Sequence, residues 1–428
     1  MLGVKLVRKR FSSTPMKVFK FGGASLKSAE AIRKMAAIVK SNATEQLLVV
    51  VSAMGKTTNG LEGMLNTFNK EGDYTSALEV IKNYHVDICR GLFPSPNPVM
   101  DRLDLIFNGL KETLQLPVDD RIYDQVVSLG EVVSSIIVEE YLRFTGLSSL
   151  WIDSRKYIVT DHTFCEGKVQ WKKTEERITT LRLSLEKKII VTQGFIGATE
   201  DRVTTTLGRE GSDFTAAIFA SSLSAESVTI WKDVPGVMSA DPKRLANATV
   251  FAELPFKEAA EMTYYGASVI HPKTIQPLAL KQIPLYVKSF DDPSLPGTKI
   301  HECYVDNLPP LIVFKDNQCL ISCKVTDYTF LNEQQLSSIF HALSALDIKI
   351  NVMQNSAISF SFCIDFRERK VMELINKLQE HFEVYYNTGL TLITVKNYDD
   401  EAFNTYRKKP GVIIEQSSRS TLQVLVKL

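Results

Sequence analysis

No two cysteines in this chain are spaced as a CxxC pair. The six present (Cys89, Cys165, Cys303, Cys319, Cys323 and Cys363) are scattered. That spacing offers neither a zinc site nor a disulfide frame and reads as free thiols in a reducing compartment. No uninterrupted apolar run approaches the roughly 20 residues of a membrane-spanning helix. Charge of one sign is not in excess either: 50 Lys and Arg against 49 Asp and Glu leave a formal net charge of +1. Nothing sequence-wide therefore draws the chain to nucleic acid or an anionic membrane. Two nucleotide signatures are missing. "MGKTTNG" has the tail of a phosphate-binding P-loop, but Val50 stands five residues before Gly55 where that loop needs glycine. No GxGxxG follows the first strand, so a dinucleotide fold lacks its fingerprint. An apolar secretory core is absent from the start of the chain. The first fourteen residues, MLGVKLVRKRFSST, are basic and without acid, as organellar transit peptides are. Their shortness, and a strand beginning directly after them, favour a native basic extension over residues 1–15, or a start at Met16, in a cytoplasmic protein.

What remains is a globular composition, 44% hydrophobic and 23% charged over 428 residues, too long for one ordinary core and enough for two or three domains. "MKVFKF" reads as a strand and runs into Gly22 and Gly23. Ile32, Met35, Ala36 and Val39 then share one helical face. "QLLVVVSA" is a continuous apolar run suited to a buried parallel strand. Helical stretches follow to about residue 145, after which apolar runs ("LSSLWID", "KKIIVTQGFIG", "SVTIWKDV", "IPLYVKSF") alternate with helical segments. This alternation predicts a layered α/β domain with a mainly parallel sheet over residues 16–300. "DDPSLPGTKI" and "NLPP" mark a boundary. Beyond it, strand, helix, two strands, helix, strand gives the βαββαβ order of a ferredoxin-like unit over 310–388. Residues 389–428 read as an abbreviated second copy, two strands with a weak helix before them.

Several turns carry chemistry-bearing residues. Two glycines at a strand-to-helix turn let backbone N–H groups approach an anion, and the helix adds its positive end. Lys20 alternates with Phe19 and Phe21, so it points away from their face, where a lysine beside such a turn can neutralise a phosphoryl group, against the alternative of a purely structural glycine turn. "TTTLGREGSDFTAA" leads a polar loop into a helix, with Ser212 a natural N-cap, Asp213 in or near the first turn and Arg209 suited to grip a carboxylate or phosphate. Glu131 follows a glycine in an apolar stretch, where a carboxylate is costly unless paired. It suits a ligand ammonium, against the alternative of an ordinary helix-start acid. Ser52, Lys56 and Thr58 lie at the end of the second strand, where open α/β sheets hold ligands. "WKDVPGVMSADPKR" suits an adenine or ribose rim. His271, before a proline, reads as a structural histidine because nothing near it completes a catalytic pair.

In order along residues 17 to about 300, "KFGGAS", "VVSAMGKTTN", "SLGEVVS", "WIDSR", "TQGFIG", "TTLGREGSD", "WKDVPGV", "ADPKR" and "GASVIHP" together resemble aspartate kinase of the amino-acid-kinase family. The tail resembles the paired ACT regulatory modules that follow that kinase. The resemblance implies ATP-dependent phosphorylation of the side-chain carboxylate of L-aspartate to 4-phospho-L-aspartate, the entry to lysine, threonine, methionine and diaminopimelate synthesis. Mg²⁺ would be carried by ATP, with no separate metal site. It implies catalytic roles for Lys20 and Asp213, and an ATP site of Lys20, Gly22, Gly23, Ser25, Lys232, Asp233, Met238, Lys243 and Ser268. Aspartate would be held by Ser52, Thr58, Glu131, Arg209 and Ser212. A homodimer or larger assembly through the ACT-like modules is expected, with no nucleic acid or membrane partner.

The sequence departs from the family pattern chiefly on the nucleotide side. Ala24 stands where threonine is usual, Glu210 where glycine is, and Lys232, Met238 and Ser268 where threonine, tyrosine and lysine are frequent. Two other readings compete: the same fold acting on glutamate or an acylated amino acid, and a silent amino-acid sensor. In the tail, Asp327, Asn355 and Ser356 are the candidate effector contacts, against a reading in which they only cap strands. Ala357 occupies a place where an acid often recognises lysine, and Asn351 replaces an aspartate. Lysine is therefore expected to inhibit weakly, and a smaller amino acid such as threonine is the expected effector.

Overall fold

The computed structural model describes residues 15–43, 46–71, 73–115, 117–266, 270–326 and 329–427. The basic N-terminal segment 1–14, Ser268 and Asp327 lie outside them. The chain divides into two compact units, one of residues up to 237 with 250–260 and 269–304, the other of 238–249, 261–268 and 305–428.

In the first unit the strands are β1 (Met16–Phe21), β2 (Gln46–Val51), β3 (Ser149–Ile152), β4 (Ile189–Gln193), β5 (Ile196–Ala198), β6 (Thr204–Thr206), β7 (Ser227–Lys232), β8 (Glu253–Pro255), β9 (Leu285–Ser289) and β10 (Thr298–His301). Between β1 and β2 lies α1 (Ala29–Ser41). Between β2 and β3 come α2 (Thr57–Glu71), α3 (Thr75–Leu92), α4 (Val99–Thr113), α5 (Asp120–Val127) and α6 (Leu129–Phe144). Later helices are α7 (Trp171–Thr179), α8 (Arg182–Leu185), α9 (Gly211–Leu223), α10 (Phe256–Tyr265, which runs from one unit into the other) and α11 (Pro272–Lys281). The main sheet has the order β3-β4-β2-β1-β7-β9-β10-β8. It is parallel from β3 to β9, and β10 turns antiparallel to β9. β2 shows why: its residues from Leu47 to Val51 are all buried, as a strand covered on both faces must be. β1 sits in the middle with β2 on one side and β7 on the other. The chain winds outward in both directions from it, so a crevice opens at the C-terminal end of β1. Phe19 and Phe21 face a large apolar core shared with α1–α6, where Trp231 stacks on Phe21 with rings 6.1 Å apart. Helix α9, backed by α7 and α11, covers the other face.

The second unit follows the expected βαββαβ order: β11 (Leu311–Lys324), α12 (Glu333–Ala345), β12 (Ile350–Asn355), β13 (Ser359–Asp365), α13 (Glu368–Gln379) and β14 (Glu383–Lys396). Then come α14 (Asp400–Arg407), β15 (Val412–Ser417) and β16 (Thr421–Val426). All six strands form one antiparallel sheet, β12-β13-β11-β14-β16-β15. Helices α12 and α13 cover one half, and α14 packs on the other. α14 is better formed than its weak periodicity suggested, because Asp399 caps it by accepting from the Ala402 N–H at 2.8 Å. Two sequence boundaries move. The division at 388/389 falls inside β14, which runs across both halves of the sheet and pairs with β11 along almost its whole length. Residues 238–249, expected within the kinase region, belong to the second unit. There the Ser239 carbonyl accepts from the Ile312 N–H at 2.8 Å, and Arg244 pairs with Asp316 and lies over the Phe314 ring.

Candidate active site

The crevice at the end of β1 is a cleft of about 970 Å³ bordered by Lys20, Gly23, Ser52, Thr58, Glu131, Arg209, Ser212, Asp213 and Lys232. Strand geometry puts its two lysines together. Lys20 pairs in register with Ile230 of the parallel β7, and Lys232 is two residues further on. Side chains repeat every second residue, so both ammonium groups project from the face opposite Phe19, Phe21 and Trp231. That face meets the first turn of α9. Lys20 Nζ lies 2.7 Å from Asp213 Oδ1, and Lys232 Nζ lies 3.6 Å from Asp213 Oδ2. The Asp213 side chain is only 3% exposed. Burial pushes its carboxyl up, but the two lysines more than offset this and hold it below the usual carboxylate range.

The phosphate-facing turn is built on close backbone approach. A Cβ at Gly23 would stand 2.7 Å from the Ala53 carbonyl oxygen and 2.8 Å from that of Gly55. The Gly55 N–H already donates to the Gly23 carbonyl at 3.0 Å, locking the two strand-end loops together. Ser25 is buried within this turn, its N–H donating to the Gly22 carbonyl, and does not border the cleft. Gly22 lies beside Lys20 Nζ.

Across the cleft, Glu131 sits in the first turn of α6 and is 3% exposed. Its Oε1 accepts from the Ala53 N–H at 3.4 Å, and its Oε2 has no hydrogen-bond partner. Burial pushes its pKa up to about 8, with the Ala53 N–H and the charge of Lys20 opposing. A buried carboxylate with one orphan oxygen, aimed into a cleft, calls for a cation.

The loop before α9 differs from expectation. The N-cap is Glu210, not Ser212: Glu210 takes left-handed angles (φ 53°, ψ 29°), so the helix starts at Gly211 and Ser212 falls inside its first turn. The Glu210 carboxyl borders the cleft with a buried, unpartnered Oε2. Burial raises its pKa, and the charge of Lys232 opposes that. Of the other residues expected on the nucleotide side, Asp233 is exposed and does not border the cleft, while Met238 and Lys243 belong to the second unit. His271 caps α11 by accepting from the Lys273 N–H, the structural role expected of it.

A model of the amino acid kinase family matches residues 15–289. The lysine-sensitive aspartokinase 3 of Escherichia coli is 33% identical over 357 residues, which are 81% of this chain and 78% of that one. The chain belongs to the aspartokinases of the amino acid kinase family. A crystal structure of E. coli aspartokinase III in complex with aspartate and ADP superposes with a TM-score of 0.82 at 29% identity, covering 96% of each chain. The chain spans 42% of the length of the chloroplastic bifunctional aspartokinase/homoserine dehydrogenase 1 of Arabidopsis thaliana, to which it is 31% identical over 383 residues.

This aspartokinase has residues on and behind the cleft wall that its sequence did not announce. Asp124 on α5 is buried. Its carboxylate accepts from the Cys165 and Thr206 N–H groups, both at 2.9 Å, and from Thr206 Oγ1 at 2.7 Å. It thereby clamps two segments that border the cleft. Tyr123 donates to Glu62 Oε1 at 2.5 Å on the same wall. Buried His85 holds the start of α2: its Nδ1–H donates to the Ile81 carbonyl and its Nε2 lies 3.3 Å from Thr57 Oγ1. Burial lowers its pKa to about 4, so it stays neutral. An acid in an amphipathic helix was the only available signal for Asp124, and it looks the same as a solvated one.

Proposed function

We propose that the cleft transfers the γ-phosphoryl group of ATP to the side-chain carboxylate of L-aspartate, giving 4-phospho-L-aspartate and ADP. The observation that carries this reading is the Lys20–Asp213–Lys232 cluster on one side of the cleft facing the buried Glu131 on the other. A carboxylate oxygen of aspartate attacks the γ-phosphorus. The bond from phosphorus to the β,γ-bridging oxygen breaks, and its electron pair leaves with ADP. The acceptor is already ionised, so no general base is required, and catalysis is positioning plus charge stabilisation. Lys20 and Lys232 stabilise charge on the transferring group, while Asp213 holds both in place. Gly22, Gly23 and Ser25 form the turn that admits the phosphates. Glu131 takes the substrate ammonium and Arg209 its α-carboxylate, with Ser52, Thr58 and Ser212 as hydrogen-bonding partners.

Among the described residues no cluster of three or more His, Cys, Asp or Glu side chains gathers as a metal site. Mg²⁺ suits what is present, since it is commonly held by one or two carboxylates together with substrate phosphates. Glu210, with its orphan Oε2, and Asp213 are the carboxylates that would face it. Bound there with ATP, it would neutralise phosphate charge.

We place regulation in the second unit, with Asn355 and Ser356 at the β12–β13 turn as effector contacts, and self-association of the chain through that unit. Ser356 is partly committed already, since its Oγ lies 2.7 Å from Ser359 Oγ and accepts from the Ser359 N–H.

Steady-state kinetics of Lys20→Met test the chemistry. The expected result is a kcat at least ~10²-fold lower with aspartate binding nearly unchanged, because charge stabilisation is lost only at the transition state. A near-normal kcat would remove Lys20 from the mechanism.

A further inference from the structure

We propose that a second cavity in the first unit, of about 430 Å³, binds a small phosphate monoester with an apolar body. It lies among α4, α5, the start of α6 and the segment entering β6. Three arginines from three separate segments border it, Arg121, Arg155 and Arg202, and among the described residues no acidic side chain does. Arg155 is already neutralised: its Nε and Nη2 grip the Asp153 carboxylate, and its Nη1 reaches Thr204 Oγ1 at 3.3 Å. Arg121 and Arg202 have no carboxylate within ion-pair distance among the described residues. Two uncompensated guanidinium groups at one concave site match a dianionic phosphate, which they bind with short charge-assisted hydrogen bonds. The remaining wall is mixed: Leu110, Leu129 and Val132 form an apolar patch that takes the body of the ester, beside the polar Thr113, Gln125, Ser128 and Thr204. The volume falls within the range of small-molecule pockets.

The cavity is also placed to influence the catalytic cleft, a coupling that rests on the function proposed above, whereas the binding itself does not. Arg121 and Gln125 border the cavity one turn apart on α5, and Asp124, between them, clamps Thr206 and Cys165 at the cleft. Ser128 and Val132 border it on either side of Glu131. An occupant that restrains α5 and α6 restrains the aspartate side of the active site.

Titration calorimetry with phenyl phosphate, inorganic phosphate and benzoate tests the site on four proteins: the wild type, Arg121→Ala/Arg202→Ala, Gly109→Leu and Lys20→Met. Gly109 borders the cavity from α4, and a Cβ there meets nothing within 4 Å. Leucine therefore fills the space without a clash and favours the helix. Phenyl phosphate should bind the wild type and Lys20→Met alike. It should bind about tenfold or more tighter than inorganic phosphate or benzoate, because each lacks one half of the match. Its affinity should fall about tenfold or more in both cavity variants. Absence of binding to the wild type would overturn the proposal, as would binding unaffected by both cavity variants. Loss of binding in Lys20→Met would place the probe in the catalytic cleft and overturn it equally. So would a changed sedimentation coefficient in Gly109→Leu without any phenyl phosphate binding, which would make this face a contact between copies of the chain. Saturating phenyl phosphate should shift KM for aspartate in the wild type only. Direct binding without that shift would uphold the site and refute the coupling.

Discussion

At the scale of single residues, the cleft depends on two buried carboxylates held in opposite states. Asp213 lies between two lysines and stays ionised. Glu131 has a distant Ala53 N–H, its own backbone N–H and the field of Lys20, and burial outweighs them and raises its pKa from 4.5 to about 8. Between those two values the unfolded chain has lost the Glu131 proton and the folded chain retains it. The folded state then binds more protons, so this group's contribution to stability is full below about pH 4.5 and is lost as pH rises to about 8. Unfolding measured without substrate should show a stability that declines over this window by up to ~1.4 kcal/mol per pH unit from this residue. Glu131→Gln should flatten that slope; an unchanged slope would show that Glu131 is ionised throughout. The same variant should raise KM for aspartate, by about 1.5–3 kcal/mol of lost charged contact, and leave KM for ATP nearly unchanged. The opposite split would contradict the assignment. Much of this was legible in the sequence. The Phe-Lys-Phe alternation aimed Lys20, and a lone acid in an apolar stretch marked Glu131. Lys232 was read only as a nucleotide-rim residue, because its approach to Asp213 depends on the register between β1 and β7, which no local pattern encodes.

At the scale of elements, the site is made where strands end. The tips of β1, β2 and β7 and the first turns of α6 and α9 converge because β1 is the strand from which the chain winds both ways. Gly23 sets how closely the β1 and β2 loops meet. Gly23→Ala would force a methyl group against two carbonyl oxygens at 2.7 and 2.8 Å, atoms that cannot rotate aside. The expected outcome is a loss of about 1–3 kcal/mol of stability, as overpacking usually costs, with kcat lowered about tenfold or more as the phosphate turn opens. Chemical denaturation and steady-state kinetics on the purified variant check both; wild-type values in each would show that the turn does not need the close approach. The element order was readable from apolar runs and turn residues. The α9 cap was not: Ser212 has the residue type of a cap, but the left-handed backbone at Glu210 starts the helix earlier. The Asp124 clamp escaped too, because it joins residues 41 and 82 positions apart in sequence.

At the scale of the whole molecule, catalytic machinery and a two-part antiparallel sheet share one chain, the arrangement of an aspartokinase. Both halves of that sheet were visible as strand and helix alternation. Their fusion through the long β11 and β14 was not, since a bulge between Lys315 and Gln318 lets one strand serve two registers. The neighbourhood of β12 bears on feedback. Lys315 Nζ lies 2.8 Å from Asp365 Oδ1 and 2.9 Å from Asn351 Oδ1, while Asn351 Nδ2 donates to Gln318 and Asp365. Among the described residues there, Asn351 is spent, a cation is already in place and Ala357 offers no charge, which supports the expectation that a lysine ammonium is poorly received. Separate titrations of lysine and threonine against kinase activity should find lysine the weaker inhibitor; sub-millimolar inhibition by lysine alone would contradict this. The function itself is tested most directly by ATP-dependent hydroxamate formation with aspartate, with glutamate and with no acceptor. Acyl phosphate should be trapped with aspartate, far less with glutamate, and not at all without acceptor. Equal or greater product with glutamate would assign the cleft a different substrate, and no product with either amino acid would contradict phosphoryl transfer to a side-chain carboxylate altogether.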